Sequence, residues 1–135
     1  MDIDTKIHNT NTYEKKMEVN MARERNEISN EYKWDLDKMY PSKAAMEADI
    51  DYIKEGLKEV ASYKGSLSAS AENLYKALKL MEDISRKLSH YYVYTHMKHH
   101  EDTRNNENLA ESSKSEMMST DLSKATAYIV PEIIA

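Results

Sequence analysis

Apolar positions along this chain recur at spacings of three and four rather than two, the mark of helices buried along one face. The first such run is Met46, Ile50, Ile53, Leu57 and Val60. It follows Pro41, which pushes Tyr40 out of the helical region, and Ser42, whose hydroxyl can cap a first turn. Lys64-Gly65 closes it, with Gly65 suited to the left-handed residue that ends a helix. Gly56 lies inside the run, where glycine costs about 1 kcal/mol relative to alanine. A close approach by a neighbouring helix is the expected reason.

A linker, "SLSASAEN", offers several caps, Ser70 among them. From there Leu74, Leu78, Met81, Ile84, Leu88, Tyr91 and Thr95 keep to one face for about 25 residues, with Ala77, Ser85 and Tyr92 widening it. A third helix is expected from Asp102 or Thr103 towards Val130. Its stripe is Leu109, Ser113, Met117, Thr120, Ala127 and Val130, and small or hydroxyl residues surround it. A helix so poor in bulk packs close to its neighbours or is only partly covered. Short connections imply antiparallel neighbours. The expected fold is all-α, with long antiparallel helices forming a hairpin or up-down bundle.

Two ends depart from this pattern. Residues 1 to about 30 show no sustained period, and "NTNTYEKK" reads as a flexible polar arm, disordered or extended. Met21 is an alternative internal start. Within "YKWDL", Trp34 is expected to anchor the entry into the helices. At the other end, in "YIVPEIIA", Pro131 suits the first turn of a new helix and Glu132 its positive end. Ile133, Ile134 and Ala135 then begin an apolar face. The expected organisation is an arm over 1–30 and a helical domain over 31–135, incomplete at its C-terminal side.

Composition narrows the class. Phe is absent, and 9 Met and 10 Tyr add apolar bulk to a chain with few aliphatic residues. The core is therefore expected to be thin. Only 2 Gly and 2 Pro interrupt the chain, which favours long helices over turn-rich sheets. A net charge of −5 without a clustered basic stripe argues against nucleic acid. No apolar run approaches the ~20 residues that span a bilayer. With no cysteine and no apolar signal-peptide core, a cytoplasmic protein is expected.

The stretch "THMKHHEDTRN" is the one place where metal chemistry suggests itself. His96 and His100 are four apart, share a helical face and could hold one zinc ion. "HE" at His100-Glu101 also looks like the opening of a His-Glu-x-x-His zinc helix. However, Arg104 occupies the fifth place and cannot ligate, Met97 follows His96 where a base would be needed, and His99 points off that face. The alternative explains the same letters. Lys98, His99 and His100 suit the negative end of one helix, and Glu101, Asp102 and Thr103 the positive start of the next. The helix junction is the preferred reading.

Other chemistry is thinly represented. Gly56 and Gly65 alone cannot build a phosphate loop, and no serine sits in a nucleophile elbow. Asp49 with Asp51, and Glu82 with Asp83, read as solvated helix faces. Tyr91, Tyr92 and Tyr94 read as core with polar tips at the surface. No catalytic, cofactor-binding or metal residue is assigned.

Five stretches, in order, carry a family resemblance: "YKWDLDKMYPS", "YKGSLSASAENLYKALKLMEDISRKL", "YVYTHMK", "EDTRN" and "YIVPEIIA". Together, from about Glu31 to Ala135, they resemble the N-terminal part of oligoendopeptidase F, within the thimet-type zinc oligopeptidases. The resemblance implies a parent of about four times this length, helical around a central channel, which hydrolyses short peptides. It implies zinc held by a His-Glu-x-x-His helix and a later Glu, with the motif Glu activating the bound water. None of those residues falls within 1–135. The segment is then expected to be truncated before the catalytic domain, to wall the channel beside that domain of the same chain, and to be inactive alone. "NENLAES" after Asn105 departs from the family's usual Tyr-Gln, as do the missing Phe and the His99-His100 pair. The competing expectations are a stand-alone helical interaction module without enzymatic activity and a metal-binding bundle at His96 and His100.

Overall fold

A computed structural model describes residues 23–135. The expected arm over 1–30 and the alternative start at Met21 therefore lie largely outside the described residues. The described chain falls into two units, one ending at Trp34 and one spanning Asp35–Ala135. The first contributes two single 3-10 turns, Arg25–Glu27 and Asn30–Tyr32. Glu24 and Glu27 cap each other at the first of these turns, and the Glu24 amide donates to the Glu27 carboxylate at 2.9 Å. Trp34, at the end of this unit, is 53% exposed.

The second unit is all-α. A 3-10 turn, Leu36–Lys38, leads to α1 (Lys43–Ser62), α2 (Ala71–Glu101), α3 (Asn106–Thr126) and a short α4 (Ile129–Ile134). Each start follows from its sequence. Ser42 accepts from the Ala45 amide at 3.1 Å, and Ser70 from the Asn73 amide at 3.1 Å, as their places before the apolar runs imply. Gly65 has φ +81° and closes the turn after α1. Helix α2 runs antiparallel to α1 and α3, so the three form an up-down-up bundle with α2 against both neighbours.

Gly56 lies directly against α2. A β-carbon built on it would stand 2.7 Å from Ile84 Cγ1 and 2.8 Å from Ile84 Cδ1. Glycine is therefore kept at a cost in helix propensity because only a bare backbone fits against Ile84. Around this contact Ile53, Val60, Ile84 and Tyr91 are fully buried.

The third helix corrects two expectations. It begins at Asn106, not at Asp102 or Thr103. Asp102 takes an extended conformation and its carboxylate accepts from the Arg104 amide at 3.2 Å, forming a turn of its own. Asn105 is the cap, accepting from the Glu107 amide at 2.9 Å and the Asn108 amide at 3.1 Å. Asn105→Ala is expected to cost about 1 kcal/mol in urea unfolding, whereas Thr103→Ala should change little.

The buried face of α3 also differs from the expected stripe. Ser112, Ser115 and Met118 are buried, whereas Leu109 and Met117 are exposed. Val130, in α4, is exposed beside buried Ile129. Serine displaces the larger residues because its hydroxyl can turn back onto its own helix. Ser112 donates to Leu109 O at 2.9 Å, Ser115 to Ser112 O at 2.7 Å and Ser119 to Ser115 O at 3.1 Å. These three hydroxyls are bonded, and α3 can lie close to α2.

Helix α4 starts two residues before Pro131 and folds back on the bundle. Tyr128 donates to Val60 O at 2.5 Å and Glu132 accepts from the Gly65 amide at 2.6 Å. Burial, with the negative charge of Glu132 and the neighbouring Tyr63, pushes the Tyr128 phenol up from its usual range.

Candidate functional site

The histidine cluster sits on the last turns of α2. His96 and His100 do share a side of the helix, with ring centroids 6.2 Å apart. The His96 nitrogens, however, both have protein partners. Nδ1 lies 3.0 Å from Tyr92 O and Nε2 lies 3.1 Å from Glu116 Oε1 on α3. Both ring nitrogens of His96 are thus engaged within the protein, one on its own helix and one across to α3. Its ring also stacks on Tyr92, with centroids 3.9 Å apart. Among the described residues no group of three or more His, Cys, Asp or Glu side chains converges on a point where a metal would sit. Among the described residues the donor set does not fit zinc.

The three neighbouring tyrosines separate. Tyr91 is fully buried and its hydroxyl donates to Glu111 of α3. Burial, then that bond, then the negative charge of Glu111 push its phenol far above the ordinary range, so it stays a neutral donor. Glu111 itself is pushed up by burial but pulled down further by Tyr91 and Lys114, with Lys43 adding to the pull, and its carboxyl rests below the usual carboxylate value. Tyr94 lies edge-on to Tyr40 with centroids 5.0 Å apart, and the Lys98 ammonium sits 5.5 Å from its ring centroid. Tyr92 faces outward.

A second polar centre was not foreseen from the sequence. Asp49 accepts from Tyr40 at 3.0 Å and from Lys87 at 2.5 Å, tying the entry segment to α1 and α2. Asp49 is thus not the solvated carboxylate expected of it; its neighbour Asp51 is. The signal was present. Asp49 stands three after Met46 and four before Ile53, and Lys87 stands three after Ile84 and four before Tyr91. A charge inside an apolar stripe needs a partner. Glu82, in contrast, pairs with Arg86 on the open surface as expected, and half-buried Asp83 pairs with Lys79.

Between the start of α1, the end of α2 and the start of α3 lies a cleft of about 570 Å³. Lys43 and Lys98 bring positive charge to it, Glu107 and Glu111 negative charge, and Tyr40 and Tyr94 aromatic surface. Such a surface can hold a polar chain by hydrogen bonds and ion pairs. Its one hydroxyl at a helix start, Ser42, is engaged as a cap, and no base stands beside it.

Comparison with known proteins bears on this directly. The chain is 32% identical over 124 residues to oligopeptidase PepF of Bacillus subtilis (strain 168), covering 92% of this chain and 18% of that protein. It is 32% identical over 115 residues to the chromosomal oligoendopeptidase F of Lactococcus lactis subsp. cremoris, covering 84% of this chain and 19% of that protein. Group B oligopeptidase PepB of Streptococcus agalactiae serotype III (strain NEM316) is 24% identical over 114 residues. No family model matches, and no solved structure does. A match of 124 residues cannot fit between Glu31 and Ala135, so the similarity also takes in residues upstream of Met21. The chain spans less than one-fifth of the length of these relatives. Over the length that it spans, this chain belongs to the oligoendopeptidase F family.

Proposed function

We propose that this chain is a helical segment of a zinc metallo-oligoendopeptidase that hydrolyses short peptides. In this reading it walls the substrate channel and supplies no catalytic residue. The observation that carries the proposal is the disparity of coverage: 92% of this chain matches a peptidase of which it spans only 18%. The donor set of residues 23–135 does not fit zinc, so the metal and its ligands are assigned to polypeptide beyond this stretch, in a domain of the same chain. Bound there, zinc would supply a polarised water. The part left to this segment is to restrict what reaches that centre, and the mixed-charge cleft beside Tyr40 and Tyr94 is the surface suited to touching a peptide. No helix among the described residues is long and apolar enough to cross a membrane, and the reading places the protein in the cytoplasm.

The test uses the purified 135-residue chain with quenched fluorescent peptides, with and without added zinc. No cleavage is expected. Zinc-dependent hydrolysis, with contaminating peptidases excluded, would overturn the proposal. The second reading, a stand-alone interaction module, draws on the exposed Leu109 and Met117 of α3. It requires a defined protein partner and no peptidase activity in any longer chain that contains this segment.

A further inference from the structure

Helices α2 and α3 leave an open groove between them, about 470 Å³ in volume. Leu88 and Leu122 form its floor, Tyr92 and Val93 one rim, and Ser119 and Ser123 the other. None of its lining residues carries a charge. The outer surfaces of α1 and of the first half of α2 look quite different, being laced with ion pairs such as Lys58–Glu55, Lys76–Glu72 and Arg86–Glu82. Those surfaces are built for water. The groove is not: Val93 is 47% exposed and Tyr92 37%.

The rim serines are already satisfied. Ser119 donates to Ser115 O at 3.1 Å and Ser123 to Ser119 O at 3.0 Å. Covering them would strand no hydroxyl donor, and their small side chains would let another backbone come near. A helix with an apolar stripe fits such a trough.

We infer that this groove seats an apolar-faced helix from the part of the oligoendopeptidase F-like polypeptide that lies outside residues 1–135. The occupant follows from length. In the Bacillus subtilis relative the matched region is 18% of the protein, so these helices stand there beside more than four times their own length of polypeptide. The inference rests on the proposed function above.

The test is a chimera in which this chain replaces the matched region of Bacillus subtilis oligopeptidase PepF, set beside the 135-residue chain alone. Val93→Glu with Ser123→Arg places charge in the groove at exposed positions, and Glu55→Lys on α1 is the control. In the chimera the groove pair is expected to reduce peptidase activity and folded yield by about tenfold or more, in the range of central interface residues. In the isolated chain the same pair should leave the thermal midpoint unchanged. A chimera that is active and indifferent to the groove pair would overturn the inference while leaving the proposed function standing. An equal loss in both proteins would also overturn it, by making the groove residues part of the fold. A dimer of the isolated chain in sedimentation, dispersed by the groove pair, would give the groove to a second copy instead. A chimera inactive with the unmodified segment would remove the proposed function, and the inference with it.

Discussion

Gly56→Ala is expected to destabilise the protein, against the sign that helix propensity alone would give. Alanine gains about 1 kcal/mol over glycine within a helix. The new methyl would, however, lie 2.7 Å from Ile84 Cγ1 and 2.8 Å from Cδ1. Ile84 is fully buried and branched at Cβ, so its χ1 has one strongly preferred position in a helix. Overpacking of this kind costs about 1–3 kcal/mol, enough to reverse the propensity gain. A double-mutant cycle with Ile84→Ala isolates the contact. With the isoleucine truncated, Gly56→Ala should become neutral or stabilising in urea unfolding. An equal effect in both backgrounds would show that the close approach of α1 to α2 is not what keeps glycine at this position.

Tyr91→Phe should cost about 1.5–2 kcal/mol at neutral pH, the lower part of the range for a hydrogen bond to a charged group, because Glu111 keeps a third of its side chain in water. The loss should depend on pH. The Glu111 carboxyl sits below its unfolded value of 4.5. Its contribution is complete above that pH and is lost as the pH falls through the lower folded value. The penalty of Tyr91→Phe should therefore shrink in acid. The phenol acts at the other extreme: its contribution is intact below pH 10 and is lost as the pH rises through its raised folded value. Unfolding curves of both proteins across pH would check this. A penalty constant from pH 7 to pH 3 would assign the loss to packing rather than to the bond.

These two sites mark what could be read from the sequence and what could not. Helices α1 and α2 were legible because Ile50, Ile53, Val60, Ile84 and Leu88 are bulky and regularly spaced, so that the burial term dominates every competing preference. Even the close approach at Gly56 was implied by a glycine in an otherwise good helix. Helix α3 was not legible to the same degree. Reading size as burial chose Leu109 and Met117, and the structure chose Ser112 and Ser115 one step around the helix. Serine carries no hydrophobic signal, and its fitness for the interior depends on a partner helix that a one-dimensional pattern does not contain. The start of α3 was misplaced for a similar reason. Asp102, Thr103 and Asn105 are all competent caps, and the choice fell to the turn that joins two particular helices. The histidines invited a metal, but the position of Glu116, 20 residues away, decided how His96 spends its nitrogens. The tie from Asp49 to Lys87 crosses 38 residues and left only the trace of a charge within an apolar stripe.

The serine-rich contact between α2 and α3 has a thermal consequence. The heat capacity of unfolding rises with hydrocarbon released into water and falls with polar surface released. Thr95 and Ser115 are fully buried, in places where most helical bundles would put leucine. Unfolding should then change the heat capacity by less than the usual ~12–15 cal/mol/K per residue. The curve of stability against temperature becomes broad and shallow, so that warming and cooling each erode the bundle slowly.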